Sequence, residues 1–413
     1  MDDKGYYQKR WYKGLIPIDI LFPNKQFGGI YHLGIHILYD LIMRDVRFTA
    51  KKVYSDSGRL TSKLIGISIS YERDFKRIPK LLKENNIKIT KDREQIIFCG
   101  GTAVMLNTKS IEPIADFIVL GDIEAIMPEV LKKYKEQGKE QFLKEIKDIE
   151  GVYIPGGKKT VKEIEDLDLV AYPLYQPLPE NMNNKFVFGE TFMLEIERSC
   201  PYSCSFCVIP AVNKKNKIRS LESIKKIIDA GIKINKREHV TIYSPAFTHP
   251  KRKEILKYLL EKGLRFSLPS IRAEVIDEEL LELIQQGGEK SITIAPESTE
   301  RLRKDLGKAV SNKVYENIIN LAKNHGLKVK LYALIGTPGM SDLDVEELCR
   351  WLNQQKCYVS INPLVPKKLT ELSYYKFDTE KIKKQAEIVK KNLKVKYKIA
   401  NINNSYEEYI AGI

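Results

Sequence analysis

The chain has 413 residues, 43% of them hydrophobic and 30% charged, with a formal net charge of +15. Such a length leaves room for two or three domains with their own cores, and the balance excludes a fibrous or disordered chain. The charge would suit a polyanion, but Lys alternates with Glu in segments such as KKYKEQGKEQFLKEIKD, so a solvated surface is expected and nucleic acid is not the favoured partner.

The start, MDDKGYYQKRWYKG, is charged and lacks the apolar core of a signal segment. No window approaches the roughly 18 uninterrupted apolar residues that a bilayer span requires, so no membrane span and a cytoplasmic location are expected. From Ile16 to about Tyr153, the short runs IDILFP, LIGISIS, QIIFCGG and FIVLGD read as buried strands, being continuous and rich in Ile, Val and Phe. Between them, IYHLGIHILYDLIMRD and FKRIPKLLKENN space their apolar residues as helices do. This alternation predicts an α/β fold in which residues 1–150 form a Rossmann-like parallel sheet.

Residues 151–190, with Pro155, Gly156, Gly157, Pro173, Pro177 and Pro179, carry no sustained period. They read as a linker that begins with a short hairpin. Over residues 191–366 the alternation resumes, with candidate strands TFMLEIE, HVTIYSP, RFSLPS, SITIAPE, VKLYALIG and YVSINPLV. Six strand and helix units suit a partial (β/α)6 TIM-type barrel, whose active site would form at the C-terminal strand ends. Residues 367–413 hold one helix, TEKIKKQAEIVKKN, and a strand, KVKYKIA, as a small α+β extension.

Three of the six cysteines, Cys200, Cys204 and Cys207, fall within eight positions directly after the first barrel strand. This spacing argues against a disulfide scaffold and for a metal or redox site. Thiolates spaced CxxxCxxC on one loop can hold three irons of a [4Fe-4S] cubane, and the missing fourth cysteine leaves one iron open to a cofactor or substrate. The alternative is a zinc site that recruits a fourth ligand such as His249. Cys99 reads as a strand residue, and Cys349 and Cys357 flank a helix, so all three should be dispensable for a cluster.

The run CPYSCSFC, with aromatic Phe206 before the last cysteine, resembles the signature of the radical S-adenosylmethionine (SAM) superfamily. The resemblance implies that SAM chelates the open iron through its amino and carboxylate groups. It also implies reductive cleavage of SAM to methionine and a 5'-deoxyadenosyl radical, in an oxygen-sensitive protein served by an electron donor such as ferredoxin or flavodoxin. In SLPSIRAE, Ser270 and Arg272 end the third strand, and Glu297 ends the fourth in ITIAPESTERLRKDLGK. These would orient the methionine moiety by charge-assisted contacts, and Gly336 of LIGTPG would admit the adenosine. Where many relatives have Gly-Gly-Glu, this chain has Ser244, Pro245 and Ala246, so the candidate contact there is Ser244 with its neighbouring backbone.

The phrases HLGIHILY, FCGGTAV, GDIEAIMPEVL, GVYIP, APESTERLR, KLYALIGTPG and SINPLVPK, which cover most of residues 20–370, resemble the subset with an N-terminal cobalamin-binding-like domain. In that domain Gly100, Gly101 and Gly121 would admit the lower face or nucleotide tail of a corrinoid. No DxHxxG run is present, and His32 and His36 read as ordinary, partly buried histidines. The expected activity is radical modification of a carbon centre in a small molecule, a lipid or a macromolecule, and methylation if cobalamin binds. Two other readings are a methylthiotransferase acting on RNA or protein and a non-catalytic iron-sulfur scaffold. The former enzymes carry three cysteines in the N-terminal domain, where this chain has Cys99.

Overall fold

A computed structural model describes residues 14–136, 138–178 and 187–413. The charged start of the chain through Lys13, and Pro179 of the linker, lie outside the described residues. The chain divides into two compact units, one running to Met193 and including Lys226–Arg237, the other comprising chiefly Leu194–Lys225 and Glu238–Ala411.

The first unit is built on six strands: β1 (Ile16–Phe22), β2 (Phe48–Tyr54), β3 (Leu64–Ser68), β4 (Ile96–Gly100), β5 (Phe117–Val119) and β6 (Val152–Tyr153). They lie in the order β2-β1-β3-β4-β5-β6, parallel except for the β5–β6 pair. The doubly wound order 2-1-3-4-5 has its switch point between β1 and β3, where adjacent loops part and leave a crevice. Ile18, Ile20, Leu21, Ile65, Ile67 and Ile97 are buried, which is why these strands read as continuous apolar runs. Buried Asp19 interrupts β1 without cost to the sheet because Thr61 N, Ser62 N and Ser62 Oγ donate to its carboxylate at 2.5, 2.9 and 2.7 Å.

Two features depart from the sequence reading. Strand β2, FTAKKVY, was hidden by its lysines; it is an edge strand, where one face and one backbone side meet solvent and no apolar run is needed. The supposed linker begins inside this sheet. Val152–Tyr153 pairs with β5, and the Lys162 main chain bridges Gly121.

The second unit carries β7 (Phe192–Glu195), a small antiparallel pair β8 (Glu197–Arg198) and β9 (Lys217–Ile218), then β10 (His239–Tyr243), β11 (Arg265–Ser267), β12 (Ser291–Glu297), β13 (Lys328–Ile335), β14 (Tyr358–Pro363) and β15 (Tyr397–Ile399). The six strands expected from the sequence are all present. They fall into two hydrogen-bonded sheets, β11-β10-β7 and β12-β13-β14-β15, with parallel ladders from β12 through β15. KVKYKIA is therefore a seventh member of this strand series, paired with β14, and the helix Thr379–Asn392 is its crossover. A parallel partner needs such a crossover, which is why helix and strand occur together. The chain then closes with a helix, Ile402–Gly412, that the sequence reading did not anticipate.

Candidate active site

The cysteine loop leaves the β7–β8 segment through Ser199, whose φ is +70° and whose hydroxyl donates to Asn213 O at 2.5 Å. Cys200, Cys204 and Cys207 are all partly exposed. Burial pushes the Cys200 and Cys207 thiols up from their ordinary range, so a metal that displaces the protons finds desolvated ligands there. The loop is clamped from behind: Ser205 N donates to Leu306 O at 3.1 Å and Leu372 N to Ser205 O at 3.2 Å. Gly307 has φ +70°, and a Cβ there would stand 3.0 Å from Ser203 O, so this close approach needs glycine. Phe206 packs with Leu306, Leu364 and Leu372, which makes it an anchor of the loop.

Arg272 is the expected strand-end residue that the structure brings to the cysteines. Its Nη1 donates to Cys204 Sγ at 3.5 Å, its guanidinium lies 3.8 Å over the Tyr202 ring, and Nη2 pairs with Glu274 at 2.5 Å. Its buried Nε has no hydrogen-bond partner among the described residues. Ser270 is half-buried on the same loop.

Glu297 ends β12 with φ +64° and is buried, its Oε1 paired with Lys308 Nζ at 2.9 Å. A non-glycine residue held there needs surrounding structure to over-determine it. Buried Arg303 does so by donating to Pro296 O at 2.6 Å and Ser298 O at 2.9 Å on either side of Glu297. Both Lys308 and Arg303 escaped the sequence reading; each sits in a helix-to-loop run where basic residues are usually solvated.

Ser244 is engaged by the protein. Its hydroxyl donates to the buried carboxylate of Glu197 and accepts from Phe247 N at 2.6 Å. Thr248 donates to the same carboxylate from N at 2.8 Å and from Oγ1 at 3.0 Å. Glu197 thus shapes the Ser-Pro-Ala loop, and the Ala246 carbonyl accepts from Arg272 N at 3.2 Å. Nothing in the strand pattern distinguished Glu197 from a surface residue.

Gly336 serves packing. Its N–H donates to Gln385 Oε1 at 2.7 Å, and a Cβ would lie 2.7 Å from Ile382, so the close approach is that of the helix Thr379–Asn392. His249 is not free for a zinc ion: Nε2 donates to Arg219 O at 2.8 Å and Nδ1 accepts from Lys251 N at 3.0 Å. Buried hydroxyls of Ser205, Ser298, Thr299 and Thr337 lack partners among the described residues. They sit on the cysteine loop and just beyond β12 and β13, as groups that await a polar ligand would.

In the first unit, Gly101 and Gly121 have φ of +112° and +121°, and their close approaches are to Ile69 O and Lys162 O, where a Cβ would fall at 2.5 and 1.9 Å. Gly100 meets nothing nearer than 3.5 Å. His36 is buried, with Nε2 donating to Ile30 O at 2.7 Å and Nδ1 accepting from Lys52 Nζ at 2.8 Å. His32 contacts Ser70 Oγ at 2.5 Å from Nε2, and its buried Nδ1 is unpaired among the described residues. That pair joins the start of the helix Leu33–Arg44, which follows β1, to the loop after β3.

Among the described residues no helix is long and apolar enough to cross a membrane. Residues 194–352 match the family described as the Radical SAM superfamily, and residues 34–155 match Radical SAM proteins, N-terminal. An uncharacterized protein of Methanocaldococcus jannaschii is 31% identical over 393 residues, 91% of this chain and 83% of that protein. The ribosomal protein uS12 methylthiotransferase RimO of Pseudothermotoga lettingae is 21% identical over 309 residues, 69% of this chain and 70% of the relative. In fold, the chain resembles the radical SAM methyltransferase TsrM of Kitasatospora setae, solved with cobalamin and a [4Fe-4S] cluster bound, at TM-score 0.65 and 14% identity over 87% of this chain and 74% of that one. With its three-cysteine loop and both family matches, this chain belongs to the radical SAM superfamily, and its N-terminal sheet to the N-terminal domain family of radical SAM proteins.

Proposed function

We propose that the protein is a SAM-cleaving radical enzyme that modifies an unactivated carbon, with methylation as the outcome when a corrinoid is bound. The observation that carries this reading is the placement of Arg272 against Cys204, beside a loop with three thiols and no fourth cysteine. Cys200, Cys204 and Cys207 would hold the cluster, and Arg272 would orient the methionine carboxylate by a charge-assisted contact. Glu297, already paired with Lys308, would accept from the methionine ammonium through its remaining oxygen. When bound and reduced, the cluster supplies the electron that splits SAM into methionine and a 5'-deoxyadenosyl radical. The electron would come from a small one-electron carrier of the ferredoxin or flavodoxin kind.

The sheet order supports a corrinoid at the β1–β3 switch point, where His32 meets Ser70. At the end of β4 a Cβ on Gly100 would meet Val119 only at ordinary contact distance, 3.5 Å, whereas the space above Gly101 and Gly121 is taken by the chain itself. Methyl transfer is favoured over methylthio transfer because the N-terminal domain has Cys99, fully buried with its thiol pushed up by desolvation. One buried cysteine cannot supply the three ligands that an auxiliary cluster needs.

The test is anaerobic reconstitution with iron and sulfide, followed by reduction in the presence of SAM. Formation of 5'-deoxyadenosine by the parent protein and not by Cys204→Ala is expected. Equal formation by both would overturn the assignment. Retention of hydroxocobalamin through gel filtration tests the corrinoid separately.

A further inference from the structure

Strands β12 to β15 begin at a cavity of about 830 Å³ that the cluster chemistry does not use. Lys290, Lys323, Lys328, Lys330, Lys356 and Lys396 line it, and no carboxylate is among the described residues of its wall. The grouping follows from the parallel ladder. Lys290 and Lys328 stand at the starts of β12 and β13, where Lys328 N donates to Lys290 O at 3.0 Å, and Lys396 precedes β15, its carbonyl accepting from Val359 N at 3.0 Å. Lys330 lies one pleat into β13, opposite Tyr358 of β14. Neighbouring strands are about 4.8 Å apart, so four of them spread the ammonium groups over roughly 15 Å.

All six lysines are exposed. Lys323 donates to Gln355 O at 2.6 Å; the other five have no ion-pair partner among the described residues. Elsewhere on this surface lysines are paired within their helices, as Lys383 is with Glu380 and Lys390 with Glu387. Like charges gathered in one concavity without counter-charge repel one another, and the repulsion is relieved when a polyanion displaces the small ions around them. Lysine, a flexible point charge with three donors, suits a phosphate whose position varies along a chain. Tyr358 lines the same cavity and supplies an aromatic ring of the kind on which bases stack.

We propose that this lysine-lined basin binds the phosphodiester backbone of a single-stranded nucleic acid. A flexible strand can enter a concavity of this size, whereas a rigid duplex is too broad and a bilayer too flat. The inference stands apart from the cluster chemistry, so either can fail without the other.

The experiment uses the full chain and a fluorescently labelled 20-nucleotide oligouridylate, followed by anisotropy between 50 and 200 mM salt. With about four to six phosphates engaged, the logarithm of affinity should fall with the logarithm of salt at a slope of about −3 to −4. Lys290→Gln, Lys328→Gln and Lys330→Gln together should weaken binding at least tenfold and flatten the slope by about 2. A control with Lys83→Gln, Lys132→Gln and Lys144→Gln, exposed lysines of the first unit, should match the parent. Lys356→Glu with Lys396→Glu provides a second basin variant, and unchanged circular dichroism shows that each protein is folded. Equal binding by the basin and control variants would overturn the proposal. So would absence of oligonucleotide binding at 50 mM salt, whether or not tripolyphosphate or anionic vesicles bind instead.

Discussion

Nη1 of Arg272 lies 3.5 Å from Sγ of Cys204. The same guanidinium is stacked on Tyr202 and tied to Glu274, so its position is set before any ligand arrives. Preorganised charge of this kind acts without reorganisation when a ligand binds.

Replacing Arg272 with Met keeps the apolar stem and removes the charge. Iron and sulfide content should stay at the parent level, while SAM affinity falls about ten- to a hundredfold, the equivalent of losing about 1.5–3 kcal/mol in one charge-assisted bond. The check is a SAM titration followed by electron paramagnetic resonance of the reduced cluster. Unchanged affinity would make Arg272 a purely structural partner of Tyr202 and Glu274.

For Glu297, ligand binding and folding must be separated, since its carboxylate is paired with buried Lys308. Glu297→Ala strands that ammonium and should cost about 3–5 kcal/mol of stability. Glu297→Gln with Lys308→Met should recover much of the loss, because the uncompensated charge is gone. If the recovered double variant still binds SAM poorly, Glu297 contacts the cofactor; parent-like affinity would confine it to the ion pair.

Cluster retention should depend on three cysteines and one glycine. Cys204→Ala should lose iron, whereas alanine at Cys99, Cys349 or Cys357 should not, as these are buried in the packing of β4, of the helix Asp342–Gln355 and at the start of β14. Gly307→Ala places a Cβ 3.0 Å from Ser203 O at φ +70°. It should cost on the order of 1–2 kcal/mol and lower iron occupancy by loosening the loop. Iron analysis across the series reads all of this, and full occupancy in the glycine variant would show that the clamp is dispensable.

The first unit should lose stability in acid through its buried bases. Burial lowers the His32 pKa from 6.5 to about 4, and burial together with Arg237 lowers Lys52 from 10.5 to about 7. In each case the unfolded chain binds the proton more tightly, so stability rises with pH between the two values. His32 should therefore cost on the order of 2–3 kcal/mol as pH falls from 6.5 to 4, and His32→Phe should flatten that decline. Lys52→Met should stabilise most below pH 7, with the gain shrinking toward pH 10.5. Unfolding midpoints measured across this range decide the point, and a pH-independent gain from Lys52→Met would show that the amine is already solvated.

Much of the site was legible in the sequence because its chemistry is local. Three thiols within eight positions stand out as a candidate cluster loop whatever surrounds them, and the runs RFSLPS and SITIAPE announce the strands that Arg272 and Glu297 follow or end. Glycine, by contrast, signals close approach without naming the partner. The approach is to Lys162 at Gly121, to Ile382 at Gly336 and to Ser203 at Gly307, and such choices belong to long-range packing.

The three-cysteine motif, the order of elements and the superfamily were readable from spacing and periodicity that act over a few residues. Only long-range packing sets Lys308 against Glu297, lets Glu197 hold the Ser-Pro-Ala loop, and gathers lysines scattered from 290 to 396 in one basin. Parallel pairing aligns strand starts that are dozens of residues apart, so a charge that looks dispersed along the chain becomes concentrated in space.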